Sequence, residues 1–497
     1  MGWAVALPIA APLAAAAGCL LGRKLLRLQA ATTVAAVLCQ LGAGIALVWD
    51  VHTSGPTAVQ VGGWPAGAAI PLVADMASGI MVVLASTVAL LAVLFASSTI
   101  DQRRAAFGFY PLTNVLLMGV AGMVLTGDLF NLYVWVEVTL IASFVLMALG
   151  GGRMQMEGAT NYVTLNVVAS VLFLTGIGLI YAVAGTVSLG GLATYARHGP
   201  LGWPGEAGAM FVLAALLVKA AAFPFFWWLP ASYHTPPIGV TALFAGLLTK
   251  VGVFALVRVS SLLLTAESLR DIAQGAMLAI GGVTMVAGVL GAAAHSDMRR
   301  ILSFHIVSQS GYMVMGAGFM SGAGYAATLF FLGHNMAAKT GLFVAAGIMH
   351  RLAGSYDVRA IGGLMRKHPG LAVSFAVCAA SLAGFPPFAG FFGKLALVQA
   401  GVAGGHYAVV AAALFTSILT LYSMTKIWHE AFWKPTPGSA GQGRSAPWPA
   451  WLALYGFATL SAAGGLAAGG LFDFARLGGE ALADPAAFIA ATGGERR

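Results

Sequence analysis

From residue 3 to residue 471 this chain of 497 residues is a succession of apolar stretches about 20 residues long, separated by polar breaks of loop size. Each stretch can cross a hydrocarbon core of about 30 Å as a helix, and only helices or closed barrels satisfy the backbone polar groups there. Hydrophobic residues make up 59% of the chain and charged residues 8%, against roughly a quarter charged in a soluble domain. The longest breaks, near residues 51–69, 186–206, 351–369 and 431–447, leave no room for a soluble domain. The pattern predicts an all-α polytopic membrane protein with about fourteen transmembrane helices.

The basic residues test that count, because cytoplasmic loops carry the excess of Lys and Arg. Over the expected loops, 14 fall on one side, Arg23, Lys24, Arg103, Arg104, Arg299 and Arg300 among them. Five fall on the other: Arg197, Arg270, Arg476, Arg496 and Arg497. Both termini are then expected to face outward. No Lys or Arg precedes the first apolar run, so it reads as a transmembrane helix and not as a leader. The net charge of +9 is scattered in short loops without interleaved aromatics, which argues against nucleic acid. Cys19, Cys39 and Cys378 stand alone, without CxxC spacing or a partner histidine, so no metal or other cofactor is expected.

Two segments carry matching helix-breaking signatures, VKAAAFPFFWWLP around Pro224 and SLAGFPPFAGFFGK around Pro386 and Pro387. A proline within the membrane frees a backbone carbonyl that lipid cannot satisfy. Pro224 and Pro386 are 162 positions apart, close to five helices with their loops. Five is odd, so the spacing predicts two inverted five-helix repeats, each with a broken helix, and interrupted helices at matching places point to ion sites.

Six basic residues fall inside the apolar segments: Lys219, Lys250, Arg258, Lys339, Lys394 and Lys426. A Lys at the centre of a membrane helix costs about 2.5–3.5 kcal/mol on insertion scales. Lys219, Lys250, Lys339 and Lys394 lie too deep to reach an interface, which marks them as functional, whereas Lys426 and Arg258 sit nearer helix ends and are expected to snorkel. Glu137 is the one acid clearly within a segment, and a lysine is its natural partner. His334, deep and five residues before Lys339, is a proton-relay candidate. His305, near a helix start, fits relay or packing equally. Asp128 and Asp75 read as helix caps.

The stretches TGDLFNLYVWVE, FPFFWWLPASYHTPPIGVTALFAGLLTKVGVFALVR, GHNMAAKTGLF and SLAGFPPFAGFFGK resemble the antiporter-type subunits shared by Mrp cation/proton antiporters and respiratory complex I. The resemblance covers nearly the whole chain, and LPASYHTPPIGVTALFAGLLTKVG is most similar to the Mrp branch. It implies two inverted repeats with half-channels joined by a polar axis at mid-membrane. Residues 1–107 would form an N-terminal three-helix segment, 108–263 the first repeat, 273–430 the second, and 431–497 a C-terminal helix and tail. Carried over by motif, Glu137 is the charge-pair acid, Lys219 its partner and Lys250 the connecting lysine. Lys339, preceded by His334, is the lysine of the second repeat, and Lys394 is the terminal one, with His305, Pro224, Pro386 and Pro387 as accessories.

The implied function is proton translocation within a multisubunit monovalent cation (Na⁺)/H⁺ antiporter of the bacterial cytoplasmic membrane, with other membrane subunits as partners. The alternative is a proton-pumping subunit of a complex I or membrane-bound hydrogenase type of oxidoreductase. With no glycine fingerprint, P-loop or cysteine cluster, the chain itself is expected to perform no redox step or ATP hydrolysis.

Overall fold

The computed structural model describes residues 2–64, 69–264, 267–435 and 444–493. Arg496 and Arg497 of the outward charge count lie outside the described residues. Helices α1 (Gly2–Leu21), α2 (Leu26–Ser54) and α3 (Met76–Thr99) come first, with an antiparallel hairpin of β1 (Thr57–Gln60) and β2 (Pro71–Ala74) before α3. A short α4 (Gln102–Arg104) runs through a π-turn into α5 (Tyr110–Leu125). Then come α6 (Leu129–Ala148), α7 (Arg153–Ala184), α8 (Leu189–His198), α9 (Gly202–Lys219), the single turn α10 (Trp228–Ser232) and α11 (Ile238–Leu263). They are followed by α12 (Glu267–Ala294), α13 (Met298–Gly318), α14 (Gly322–Ala353), α15 (Leu364–Lys367), α16 (Pro369–Ala383), α17 (Ala389–Ala403) and α18 (Tyr407–Trp428). Last are α19 (Trp448–Leu466), α20 (Ala468–Ala483) and α21 (Ala486–Thr492).

The protein is a nearly all-helical membrane protein. Among the described residues nine helices are long and apolar enough to span a membrane, or ten if α19 and α20, bent by 83°, count as one. That measure does not recover all fourteen expected spans. The helices α16 and α17 are 15-residue pieces of one interrupted segment, and α13 and α14 mix His, Gln, Asn and Lys into their apolar runs. The hairpin, α8, α20 and α21 occupy stretches with no expected element.

An internal repeat emerges in finer register than the proline spacing suggested. Ala294, the end of α12, lies 169 positions after Leu125, the end of α5. The same 169 separates the starts of α6 and α13, both ends of α7 and α14, and the starts of α11 and α18. Backbone ties repeat with it. Leu129 N donates to Val187 O at 2.8 Å and Met298 N to Tyr356 O at 2.9 Å; Leu189 N donates to Gly127 O at 2.8 Å and Val358 N to Ser296 O at 3.0 Å. Asp128 and Asp297 cap α6 and α13, and Gly185 (φ +65°) and Gly354 (φ +78°) close α7 and α14 in the left-handed conformation that glycine tolerates.

Helix α11 is buried along its length, against α3, α9, α13 and α14. Near its end Arg258 does not snorkel as expected from sequence. Its guanidinium forks onto the Asp75 carboxylate, Nη2 to Oδ1 at 2.8 Å, and stacks beneath Phe254 and Phe488. Asp75 also caps α3 through Ser78 N, so one carboxylate serves as both cap and counter-ion. Lys426, half-buried, has fixed partners near its helix end: Nζ donates to Ala293 O (2.8 Å) and His295 O (2.7 Å) at the end of α12, where the helix dipole favours a cation.

Candidate functional site

The first break builds one end of the site. Helix α9 stops at Lys219 because Ala221 turns to φ +56° and Pro224, after a cis bond, has no N–H to continue the ladder. At the helix end the Val218 carbonyl accepts from Ala221 N at 3.0 Å and from the Trp228 indole at 3.1 Å, so Lys219 is left for other partners. Its Nζ reaches the Asn166 carbonyl of α7 at 3.4 Å. One turn on, the Ser170 hydroxyl lies 2.9 Å from that same carbonyl and in short contact with Oε1 of Glu137 on α6. The acid and the lysine are therefore joined through one turn of α7, within electrostatic reach of each other. Both are half-buried.

The second break is satisfied differently. Helix α16 ends at Ala383 and Gly384 takes φ +88°; beyond Pro386 and Pro387, joined by a cis bond, α17 begins at Ala389. Here the freed Ala383 carbonyl accepts from Lys394 Nζ at 2.9 Å. Lys394 also donates to Ser417 Oγ at 3.1 Å and sits 5.0 Å from the centre of the Tyr312 ring. A side chain at Gly384 would collide with it, since a Cβ there falls 2.8 Å from Lys394 Cδ.

Lys250 and Lys339 lie between the two breaks. Helices α11 and α14 approach closely at Gly246, whose Cβ would stand 2.6 Å from Thr340 Oγ1, and this contact carries Lys250, one turn on, toward Lys339. Both lysines are wholly buried. Lys250 Nζ donates to Ala245 O at 2.5 Å, and Lys339 Nζ to Leu302 O of α13 at 3.4 Å. Lys339 is within electrostatic reach of both Lys250 and Lys394, and among the described residues none of the three is ion-paired with a carboxylate. The end of α9 meets α11 where a Cβ on Gly252 would stand 3.3 Å from that of Lys219, so the line continues toward the first break.

His334 pairs Nδ1 with Ser381 Oγ at 3.1 Å and packs edge-on to Phe331, while its Nε2 has no partner among the described residues. His305 pairs Nε2 with Ser423 Oγ at 2.9 Å on α18. Five of the six residues expected to carry protons, Lys250, His334, Lys339, Lys394 and Lys219, thus fall along α9, α11, α14 and α17, with Glu137 one helix outward. Sequence reasoning missed Asn166, Ser170 and Gln309. Asn335 is 169 positions after Asn166, and Lys339 is 169 after Ser170, so comparing α7 with α14 at that offset would have found the first two.

A cavity of about 730 Å³ between α2, α3, α14, α19 and α20 also touches His334, but its walls are almost entirely apolar and offer no aqueous route. Among the described residues no group of three or more His, Cys, Asp or Glu is placed to hold a metal ion.

The family described as NADH:quinone oxidoreductase/Mrp antiporter, TM, matches residues 126–420. The chain is 39% identical over 487 residues, 98% of each protein, to a Na(+)/H(+) antiporter subunit, the D-type one, of Alkalihalophilus pseudofirmus. Its fold is similar to a chain in the structure of the Mrp complex from Dietzia sp. DQ12-45-1b, with a TM-score of 0.92 and 30% identity over 99% of this chain and 100% of that one. It also shares a fold with a chain of the membrane-bound sulfane sulfur reductase, an archaeal respiratory membrane complex, at a TM-score of 0.90 and 24% identity over 98% and 99% of the two chains.

Proposed function

We infer from a chain that belongs to the NADH:quinone oxidoreductase/Mrp antiporter family that it serves as a D-type, proton-translocating subunit of a multisubunit Na⁺/H⁺ antiporter. The observation that carries this reading is the buried lysine line, Lys250, Lys339 and Lys394, set at one end against the bridged pair of Glu137 and Lys219. Burying three ammonium groups without a carboxylate is expensive, and a fold retains them where charge has to move.

The proposed cycle rests on the bridge. A buried ammonium is held by an opposite charge nearby and yields its proton when that charge moves off. Ser170 and Asn166 make the contact between Glu137 and Lys219 one that a single rotamer change opens. Loss or gain of a proton at Lys219 changes the field at Lys250, and the change passes to Lys339 and Lys394, with His334 and His305 as neutral relays beside them. The chain works in the bacterial cytoplasmic membrane with other membrane subunits, both termini outward, and the cation's own path is left to the assembly.

A proton-pumping subunit of an oxidoreductase is the second reading, supported by the shared fold with a respiratory complex. Identity to an antiporter subunit along the whole chain favours the first. The test is cation-dependent proton movement in vesicles carrying the complete complex, compared with the complex lacking this chain and with this chain alone. Exchange that needs the complete complex is expected. Full exchange without this chain, or with this chain by itself, would refute the reading.

A further inference from the structure

Lys339 and Lys394 are both anchored on α13, but far apart along it. Lys339 donates to Leu302 O, whereas Lys394 lies over Tyr312. Ten residues of helix separate these points, about 15 Å by helix rise, too far for one hydrogen bond.

The side chains between them form one stripe. Leu302, His305, Gln309, Tyr312 and Gly316 recur at intervals of three and four and share a face. That face is turned to α14, α17 and α18: His305 bonds Ser423, the Tyr312 hydroxyl donates to Ala413 O and bonds Ser417 Oγ, and Gly316 abuts Thr328 and Leu397. The face turned to α12 is a different one, marked by the contacts of Phe304, Ser308, Gly311 and Met315. Gln309 therefore stands midway between the two lysine anchorages. It is fully buried, and among the described residues neither its Oε1 nor its Nε2 has a partner. His305 Nδ1, one turn away, is likewise without one. In hydrocarbon, both ends of an amide left unpaired are hard to sustain, and water is the partner small enough to fit.

We propose that Gln309 is a positioning residue that orders a short water chain on α13 and thereby connects Lys339 and His305 to Lys394 and Tyr312. The inference rests on the proposed function and adds to it the segment through which the two lysines communicate. An amide suits the position: it accepts at one end and donates at the other, which gives the water chain a direction, and it carries no charge that would lock either lysine into an ion pair. The proton travels from water to water; the amide itself neither gains nor loses one.

The experiment uses the complete complex in vesicles. Gln309→Leu, which fills the site without polar atoms, is expected to lower cation/proton exchange about tenfold at unchanged complex level, and Gln309→Asn to restore part of it. Gln309→Glu places a carboxylate facing Lys339, Lys394, His305 and His334. It is expected to move the pH profile of exchange to higher pH, a readout that packing alone would not shift. If the leucine variant fails to assemble, the glutamate profile decides. Wild-type exchange in Gln309→Leu, or an unmoved profile in Gln309→Glu, would overturn the inference. With Lys219→Ala inactive in the same vesicles, that result would leave the proposed function standing.

Discussion

The two repeats match in backbone to the residue over α7 and α14, yet they treat charge in opposite ways. In the first, a backbone N–H and an indole satisfy the carbonyl at the helix end, and the lysine is left to answer a carboxylate through a serine. In the second, the lysine itself satisfies the break, the serine's place is taken by another lysine, and Ile306 stands 169 positions after Glu137. On the function proposed above, one scaffold would yield a switchable pair and a cationic conduit, and the difference would place the control of where a proton is held on the acid more than on the broken helix.

If that contrast is right, Lys219→Ala and Lys394→Ala should fail in different ways. Removing Lys219 is expected to lower exchange by roughly a hundredfold, about 2.7 kcal/mol in rate terms, with normal complex levels, because the Asn166 carbonyl it reaches keeps a donor in Ser170. Removing Lys394 is expected to lower exchange and also the amount of assembled complex, since Ala383 O loses its donor in the membrane. Immunoblots of membranes beside transport assays separate the two. Equal complex levels in both variants would erase the distinction between the breaks.

Ser170→Ala sharpens the comparison from the other side. It cuts the bridge between Glu137 and Asn166 while leaving both charged groups in place, so exchange should fall by roughly three- to tenfold, on the order of 1 kcal/mol. Activity unchanged from wild type would mean that the acid and lysine communicate without α7. Lys426→Ala should matter still less for transport. Its ammonium caps α12, a contribution of about 0.3–1 kcal/mol, so a small drop in thermal stability with exchange intact is the expected result.

The smallest effect concerns the paired caps. Burial pushes the Asp297 carboxyl up, but Arg299 and the amides of Arg299 and Arg300 outweigh it and hold the group below the usual carboxylate range. The stabilisation is then fully present above the unfolded carboxylate value, near pH 4, and is lost as pH falls through the depressed one. Asp297→Asn should remove this acid-side dependence at a cost of only a few tenths of a kcal/mol, roughly, since Asn caps about as well as Asp, measured by thermal unfolding of detergent-solubilised complex against pH. Asp128, which caps α6 with no arginine partner among the described residues, should show a weaker loss when changed to Asn.

Much of this was legible in the sequence. Apolar length gave the helices, and the cost of charge in lipid singled out Glu137, Lys219, Lys250, Lys339 and Lys394 before any geometry. What stayed hidden were contacts that depend on facing partners. Ser170 and Asn166 look like ordinary polar residues of a long helix until α6 and α9 are set against them. Gln309 is one letter in SFHIVSQSGYM until its stripe is seen to face α14, α17 and α18. Arg258 was misread because distance to a helix end says nothing about Asp75, 183 positions earlier. The hairpin and α8 were lost for a simpler reason: both lie in polar breaks too short to show a period.

The stacking of Phe488 on Arg258 also places a clock on biogenesis. The guanidinium leaves the ribosome 230 residues before the ring that covers it. At roughly 5–20 residues per second that interval lasts tens of seconds. Throughout it, that end of α11 has its carboxylate and the Phe254 ring but lacks the second ring, and a chain at that stage differs in this contact from one that has reached Phe488.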